Sequence, residues 1–204
     1  MDSFRDICTM FTGIIETTGK VKEVIVNGSN RSFWVESPIS HEFKVDQSVS
    51  HSGVCLTVEE IKESVHRVTA IDETLKKTTL DDWNEDTIVN IERCLPINGR
   101  LDGHFVQGHV DTTGECVKRT EKKGSWEFVI EFPKKFAELI IEKGSVSLNG
   151  ISLTAFNVKK NRFTVAIIPY TFEHTNMHRV LAGDTVNLEF DLLGKYINRK
   201  LELK

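Results

Sequence analysis

The chain of 204 residues has little of what would mark several common chemistries. Its 4 cysteines, Cys8, Cys55, Cys94 and Cys116, lie far apart and form no C-x-x-C pair. That spacing argues against a zinc site and against a disulfide framework, and it fits a reduced cytosol. No apolar run approaches membrane-spanning length, and Met1 to Met10, with Asp2, Arg5 and Asp6, has no apolar core of signal-peptide length. An excess of positive charge is also missing. The formal net charge is -4 with acids and bases interspersed, so no basic face is expected for nucleic acid and no polybasic patch for a membrane. The chain holds no phosphate-cradling glycine loop, no G-x-G-x-x-G after a strand, no H-E-x-x-H and no G-x-S-x-G. Cofactor-dependent redox chemistry and phosphoryl transfer therefore have no support, and neither a cofactor nor a metal is expected. The expectation is a soluble, cytoplasmic protein.

What is present is a repeat. Ser52-Gly53-Val54-Cys55-Leu56-Thr57-Val58 returns as Asn149-Gly150-Ile151-Ser152-Leu153-Thr154-Ala155, which sets Gly53 against Gly150 at a spacing of 97. The register continues downstream, with Thr74 on Thr171 and Val89-Asn90-Ile91-Glu92 on Val186-Asn187-Leu188-Glu189. Upstream the spacing is 95, with Gly13 on Gly108, which places a two-residue insertion between the two stretches. A duplication of this length makes two domains of roughly 90 residues each. The expected division is an extension over 1–9, barrels over 10–101 and 102–191, and a tail over 192–204.

Both copies read as short strands separated by turns. In the first, Lys20 to Val26 ends at Asn27-Gly28, a hairpin signal, and is followed by Arg31 to Glu36, Gln47 to Ile61, Val65 to Ile71 and Thr87 to Arg93. In the second the strands are His104 to Val117, Trp126 to Phe132, Ser145 to Val158, Arg162 to Ile168 and Thr185 to Asp191. A helix is expected over Pro133 to Lys143, where Phe136, Leu139 and Ile140 share a face, and helical character over the tail from Leu192. Strands dominate, so the predicted fold class is all-β, two tandem small closed barrels or sandwiches.

Within the repeat, residues kept in both copies serve the architecture or a shared ligand, and residues that differ divide the labour. Gly53 and Gly150 allow close backbone approach, or else each marks a bulge. Thr57 and Thr154 follow core leucines and so face the other way, where they line a cavity or are simply good strand formers. Cys55 stands opposite Ser152, Ile14 opposite His109 and Cys94 opposite Asp191. An imidazole titrates near neutral pH, so His109 is the natural candidate for moving protons, with a structural histidine as the alternative for both His104 and His109.

Five segments carry a resemblance: Met10-Phe11-Thr12-Gly13-Ile14-Ile15-Glu16, Gly53-Val54-Cys55-Leu56-Thr57-Val58, Gly103-His104-Phe105-Val106-Gln107-Gly108-His109-Val110-Asp111, Gly150-Ile151-Ser152-Leu153-Thr154 and Asp191-Leu192-Leu193-Gly194-Lys195-Tyr196. Together they resemble the signature segments of the alpha-chain type of riboflavin synthase, from Met10 to about Arg199. The resemblance implies two six-stranded Greek-key barrels, a homotrimer, and dismutation of two molecules of 6,7-dimethyl-8-ribityllumazine by four-carbon transfer. The implied products are riboflavin and 5-amino-6-(D-ribitylamino)uracil, with no added cofactor. Association with lumazine synthase is a further expectation of the same kind.

By similarity, one lumazine contacts Cys55, Leu56 and Thr57, the run Thr69, Ala70, Ile71, Asp72, Glu73 and Thr74, and Gly108, His109 and Val110. The other contacts Ser152, Leu153 and Thr154, the run Ala166, Ile167, Ile168, Pro169, Tyr170 and Thr171, and Gly13, Ile14 and Ile15, with Lys143 near a subunit boundary. The expected catalytic set is His109 for proton transfer, Ser152 and Thr154 at the electrophilic ring, Cys55 at the partner site and Asp191 in support. The open alternative is a non-catalytic lumazine or flavin carrier on the same fold.

Overall fold

The structure, a computed structural model, describes residues 10–203. The expected extension over Met1 to Thr9 lies outside the described residues. The first copy forms β1 (Thr17–Asn27), β2 (Asn30–Glu36), β3 (Ser48–His51), β4 (Val54–Lys62), β5 (Val65–Ala70) and β6 (Ile88–Arg93), with a short helix α1 (Asp72–Lys77) between β5 and β6. These strands close into an antiparallel barrel in the order β1-β2-β5-β4-β3-β6. The second copy repeats the plan with β7 (Thr112–Lys122), β8 (Ser125–Glu131), β9 (Ser145–Leu148), β10 (Ile151–Lys159), β11 (Arg162–Ile167), α2 (Pro169–His174) and β12 (Thr185–Phe190), closed in the equivalent order. Closure leaves no strand edge exposed, which suits domains this small.

Alternation explains each barrel. In β4, Val54, Leu56 and Val58 are buried in the barrel while Cys55 and Thr57 turn outward. Valines and isoleucines from all six strands, with Phe33 and Leu80, fill the first interior, and Phe128, Phe163, Leu148 and Leu188 sit in the second. β1 and β7 bulge at equivalent places, between Val21 and Glu23 and between Cys116 and Lys118, and such bulges bend strands to close a barrel.

The first interior differs from the second in one respect. His51 Nε2 lies 2.7 Å from His66 Nε2, His66 Nδ1 lies 2.8 Å from Ser40 Oγ, and Ser40 Oγ lies 2.8 Å from Ser37 Oγ. His51 Nδ1, 3.0 Å from the Val49 carbonyl, must donate to it. Burial holds both rings below their ordinary pKa and so neutral, and the line follows: His66 donates to His51 and Ser40 donates to His66. Leu148 and Phe163 occupy the equivalent positions in the second barrel.

The repeated glycine motif is a two-residue turn. Ser52-Gly53 joins β3 to β4 and Asn149-Gly150 joins β9 to β10, with φ of 47 and 84 in the first and 47 and 82 in the second. Positive φ at both central residues is the type I′ hairpin turn, which is why glycine recurs there. The single strands expected over Gln47 to Ile61 and over Ser145 to Val158 are therefore each two strands with a turn between them. Asn149-Gly150 carried that hairpin signal in plain view.

Two further expectations need correction. The helix over Pro133 to Lys143 is a short 3-10 helix, Lys134–Leu139, and Ile140 is extended and buried. The repeat spacing changes from 95 at β2 and β8 to 97 at β3 and β9, so the two-residue insertion falls in this connection. Its apolar residues anchor a longer connection onto the core and do not form one face of an α-helix. The strand expected from His104 begins only at Thr112; residues 104–111 are irregular, with an isolated bridge between Val106 and Phe11.

The barrels meet about a pseudo-twofold axis lined by buried amides. Asn90 donates to the Asn149 carbonyl at 2.9 Å, and Asn187 donates to the Ser52 carbonyl at 2.9 Å. The Asn90 side-chain oxygen accepts from Asn176 N at 2.7 Å, and that of Asn187 accepts from Thr79 N at 2.8 Å. Each buried amide is thereby satisfied by the opposite barrel. The tail is the helix α3 (Leu192–Glu202), capped by the Asp191 carboxylate accepting from Leu193 N and tied back by the Lys195–Asp111 ion pair at 2.7 Å. No helix among the described residues is long and apolar enough to cross a membrane.

Candidate functional site

Two equivalent candidate clefts are defined on the outer walls of the barrels, each where an arm from one barrel crosses a strand of the other. The arm 11–16 precedes β1, and the arm 106–111 precedes β7. Ser152 N donates to the Gly13 carbonyl at 2.8 Å, and Cys55 N donates to the Gly108 carbonyl at 2.9 Å. Ile15 packs against the core of the second barrel and Val110 against that of the first. Both glycines have φ of 77. A β-carbon on Gly13 would lie 2.6 Å from Ser152 Cβ, and one on Gly108 would lie 2.6 Å from Cys55 Cβ. Only glycine lets arm and strand approach this closely.

Each arm is gripped by a buried glutamate of its own barrel. Glu92 accepts from Thr12 N and Thr12 Oγ1 at 2.7 Å each and from Gly13 N at 3.0 Å. Glu189 accepts from Gln107 N at 2.7 Å and from Gly108 N and His109 N at 3.0 Å each. Burial pushes each carboxyl up to about 7, against the pull of these donors. A return strut completes each arm: Arg93 N donates to Glu16 at 2.7 Å, and Phe190 N donates to Asp111 at 2.8 Å.

The structure brings Cys55 against Gly108 and Ser152 against Gly13, and it places the other residues expected at each site individually. Cys55 and Ser152 are half-buried beside the crossing glycines, and Thr57 and Thr154 are exposed one pleat further along the same faces. Leu56 and Leu153 anchor those strands to the cores. Thr69 bonds the Ser32 hydroxyl at 2.8 Å. Ala70 and Ile167 are 1 % exposed, with their side chains inside the barrels. Ile71, Ile168 and Tyr170 are exposed, as are Ala166 and Pro169, and Tyr170 stacks on His174 with ring centroids 4.1 Å apart. The Thr74 and Thr171 carbonyls accept from Thr78 and Thr175, ordering the short helices. Asp72 and Glu73 pair with Lys76 and Lys77, and Lys143 is exposed with its ammonium 5.3 Å from the Phe156 ring centroid.

Of the two histidines in the second arm segment, His104 is the one bonded to Ser152. Its Nδ1 lies 2.7 Å from Ser152 Oγ, the ring is 7 % exposed, and its Nε2 is buried with no hydrogen-bond partner among the described residues. Burial lowers its pKa while the Asp191 carboxylate pulls it up. Gly103 packs against the Thr12 carbonyl and Ser152, leaving no room for a side chain. His109 and its counterpart Ile14 are exposed on the arms.

Sequence reasoning missed the His104 to Ser152 contact because residue 9, the copy-one counterpart of His104, is a threonine and so gives no paired histidine. It also left Glu92 and Glu189 unassigned, although both stand in the repeated strand motif. A charged residue kept in a buried strand of both copies was the available signal.

Comparison with known proteins bears on the repeat and the fold. The lumazine binding domain family matches twice, over residues 12–94 and 107–191. Riboflavin synthase of Actinobacillus pleuropneumoniae is 37% identical over 193 residues, covering 94% of this chain and 90% of that protein. Riboflavin synthase of Bacillus subtilis (strain 168) is 35% identical with the same coverage, and that of Mycobacterium tuberculosis (strain H37Rv) is 38% identical over 200 residues, covering 93% and 97%. Among solved structures, LumP complexed with 6,7-dimethyl-8-(1'-D-ribityl) lumazine has the same fold, with a TM-score of 0.81 at 22% identity over 89% of this chain and 99% of that one. With two lumazine-binding repeats and riboflavin synthase relatives matched along nearly its whole length, the chain belongs to the riboflavin synthase family of lumazine-binding domain proteins.

Proposed function

We propose that the protein is a riboflavin synthase that dismutates two molecules of 6,7-dimethyl-8-ribityllumazine, moving a four-carbon unit from one to the other. The products are riboflavin and 5-amino-6-(D-ribitylamino)uracil. The observation that carries this reading is the pair of clefts, each complete with its crossing glycine, outward threonine and clamped arm, yet chemically unlike at Cys55 and Ser152. Two identical substrates call for two similar clefts, and opposite fates call for different ones. A carrier needs only one.

Holding two reactants in register replaces a bimolecular encounter and lowers a barrier by about 7 to 11 kcal/mol when alignment is good. The acidic 7-methyl group of one lumazine loses a proton to become the carbon nucleophile. Ser152, its hydroxyl hydrogen-bonded to His104 Nδ1 at 2.7 Å, and Thr154 act on the ring that is attacked. His109 and Cys55 serve the partner cleft, where His109 on its exposed turn moves protons. Asp191 supports His104 through its charge and caps α3.

In this reading the productive site forms between the first barrel of one subunit and the second barrel of the next, with Lys143 at that boundary, in a cytoplasmic homotrimer. The face of α3 carrying Leu193, Tyr196, Ile197 and Leu201, each more than 60 % exposed, supplies an apolar contact for such an assembly. Docking on lumazine synthase belongs to the same proposal. Incubating the pure protein with ribityllumazine alone and following riboflavin by absorbance tests the reading. Product formation supports it, whereas bound but unconverted lumazine identifies a carrier and overturns it.

A further inference from the structure

The two glutamates that grip the arms act on the opposite barrel from the one that holds them. Glu92 belongs to β6 and Glu189 to β12, both 3 % exposed, and neither forms an ion pair among the described residues. Burying a carboxylate without a direct ion pair is costly, and only Glu189 feels a nearby cation, Lys195. Both copies nonetheless carry the acid. Its partners are the backbone N–H groups of residues 12–13 with the Thr12 hydroxyl in one case and the N–H groups of 107–109 in the other, all outside every strand.

The next link is the crossing. The carbonyl of the gripped glycine receives the N–H of Ser152 from β10 in the first case and of Cys55 from β4 in the second. The residue after each glycine, Ile14 or His109, stands exposed beside the cleft, and the one after that, Ile15 or Val110, is packed into the opposite core. We infer that Glu92 and Glu189 are crossed positioning residues, Glu92 fixing the wall of the cleft at Ser152 and Glu189 fixing the wall of the cleft at Cys55. Neither touches a ligand; each acts through the arm it holds. The statement that these clefts take lumazine rests on the proposed function, whereas the crossed grip rests on the geometry alone.

The test uses the full chain with Glu92→Gln and Glu189→Gln, whose amide turns a donor toward the arm N–H groups. Hydrogen exchange in the absence of ligand reads the grip. Glu189→Gln should speed exchange across 107–110 about tenfold or more, the scale of one lost charge-assisted hydrogen bond, and leave 12–14 unchanged; Glu92→Gln should do the reverse. Iodoacetamide labelling followed by peptide mapping reads the cleft: ribityllumazine should protect Cys55 in the wild type and in Glu92→Gln but no longer in Glu189→Gln. Should either variant fail to fold, Glu→Asp, one methylene shorter with the charge kept, should give the same crossed pattern. Loosening of both arms by one substitution, or of neither, overturns the inference. Loss of Cys55 protection in Glu92→Gln instead of Glu189→Gln overturns it equally. Failure of ribityllumazine to protect Cys55 in the wild type would count against the proposed function, and the exchange pattern would still decide the grip.

Discussion

Gly53 and Gly150 touch across the pseudo-twofold axis: a β-carbon on Gly53 would lie 2.7 Å from Gly150 N, and one on Gly150 would lie 2.7 Å from Gly53 N. Alanine at either position meets both this clash and a positive φ. Each single substitution should cost about 2–4 kcal/mol in urea unfolding. The double substitution should cost less than the sum, because one widening of the same gap serves both. Strict additivity would mean that the turns do not bear on each other in solution.

The line of His51 and His66 predicts an acid sensitivity seated in the first barrel. Burial holds His51 well below its ordinary pKa and lowers His66 to about 4, while both return to about 6.5 in the unfolded chain. Below pH 6.5 the unfolded state therefore binds more protons. The stability held above that pH is lost as pH falls toward about 4, with a slope approaching 1.4 kcal/mol per pH unit for each ring. Replacing the pair with the side chains of the second barrel, His51→Leu with His66→Phe, should flatten the stability profile over that window. An unchanged profile in denaturant melts from pH 7 to 4 would refute the neutral assignment.

Turnover should depend on Ser152 and His104 as a unit. Ser152→Ala and His104→Phe are each expected to lower kcat by about 10²–10⁴-fold with ribityllumazine still bound. The double variant should be little worse than the lower single one. His109→Ala is expected to lower turnover as well, through the other cleft. Full activity in Ser152→Ala with intact binding would remove the hydroxyl from the mechanism.

Assembly is testable on α3. Tyr196→Lys with Ile197→Lys puts two like charges on the apolar face without touching the barrels, so the fold should melt unchanged. Sedimentation should report dissociation to single chains, and riboflavin formation should fall with it. A monomeric variant that kept full turnover would place the whole site within one chain.

Much of this architecture was legible because a duplicated chain doubles every signal. The strand alternation at Val54, Leu56 and Val58, the hairpin at Asn27-Gly28 and the paired glycine motifs all point to barrels. Local pattern failed where long-range contacts decide. Phe136, Leu139 and Ile140 have helical spacing, but a longer connection anchored on the second core uses them in a short 3-10 helix and an extended segment. His104 reads as one more histidine until the fold carries it to Ser152, 48 residues away. The same holds for Glu92 and Thr12, joined over 80 residues, whose partnership no window of sequence contains.

The reciprocal contact about the pseudo-twofold axis has one more consequence. Two separate copies of a half-chain meeting in this way would form a self-complementary dimer and would be bound to carry the same side chain at both equivalent places. Linking the halves covalently releases that constraint. One half can then carry a thiol where the other carries a hydroxyl, and a polar interior can stand beside a greasy one, while the surfaces that join them stay matched.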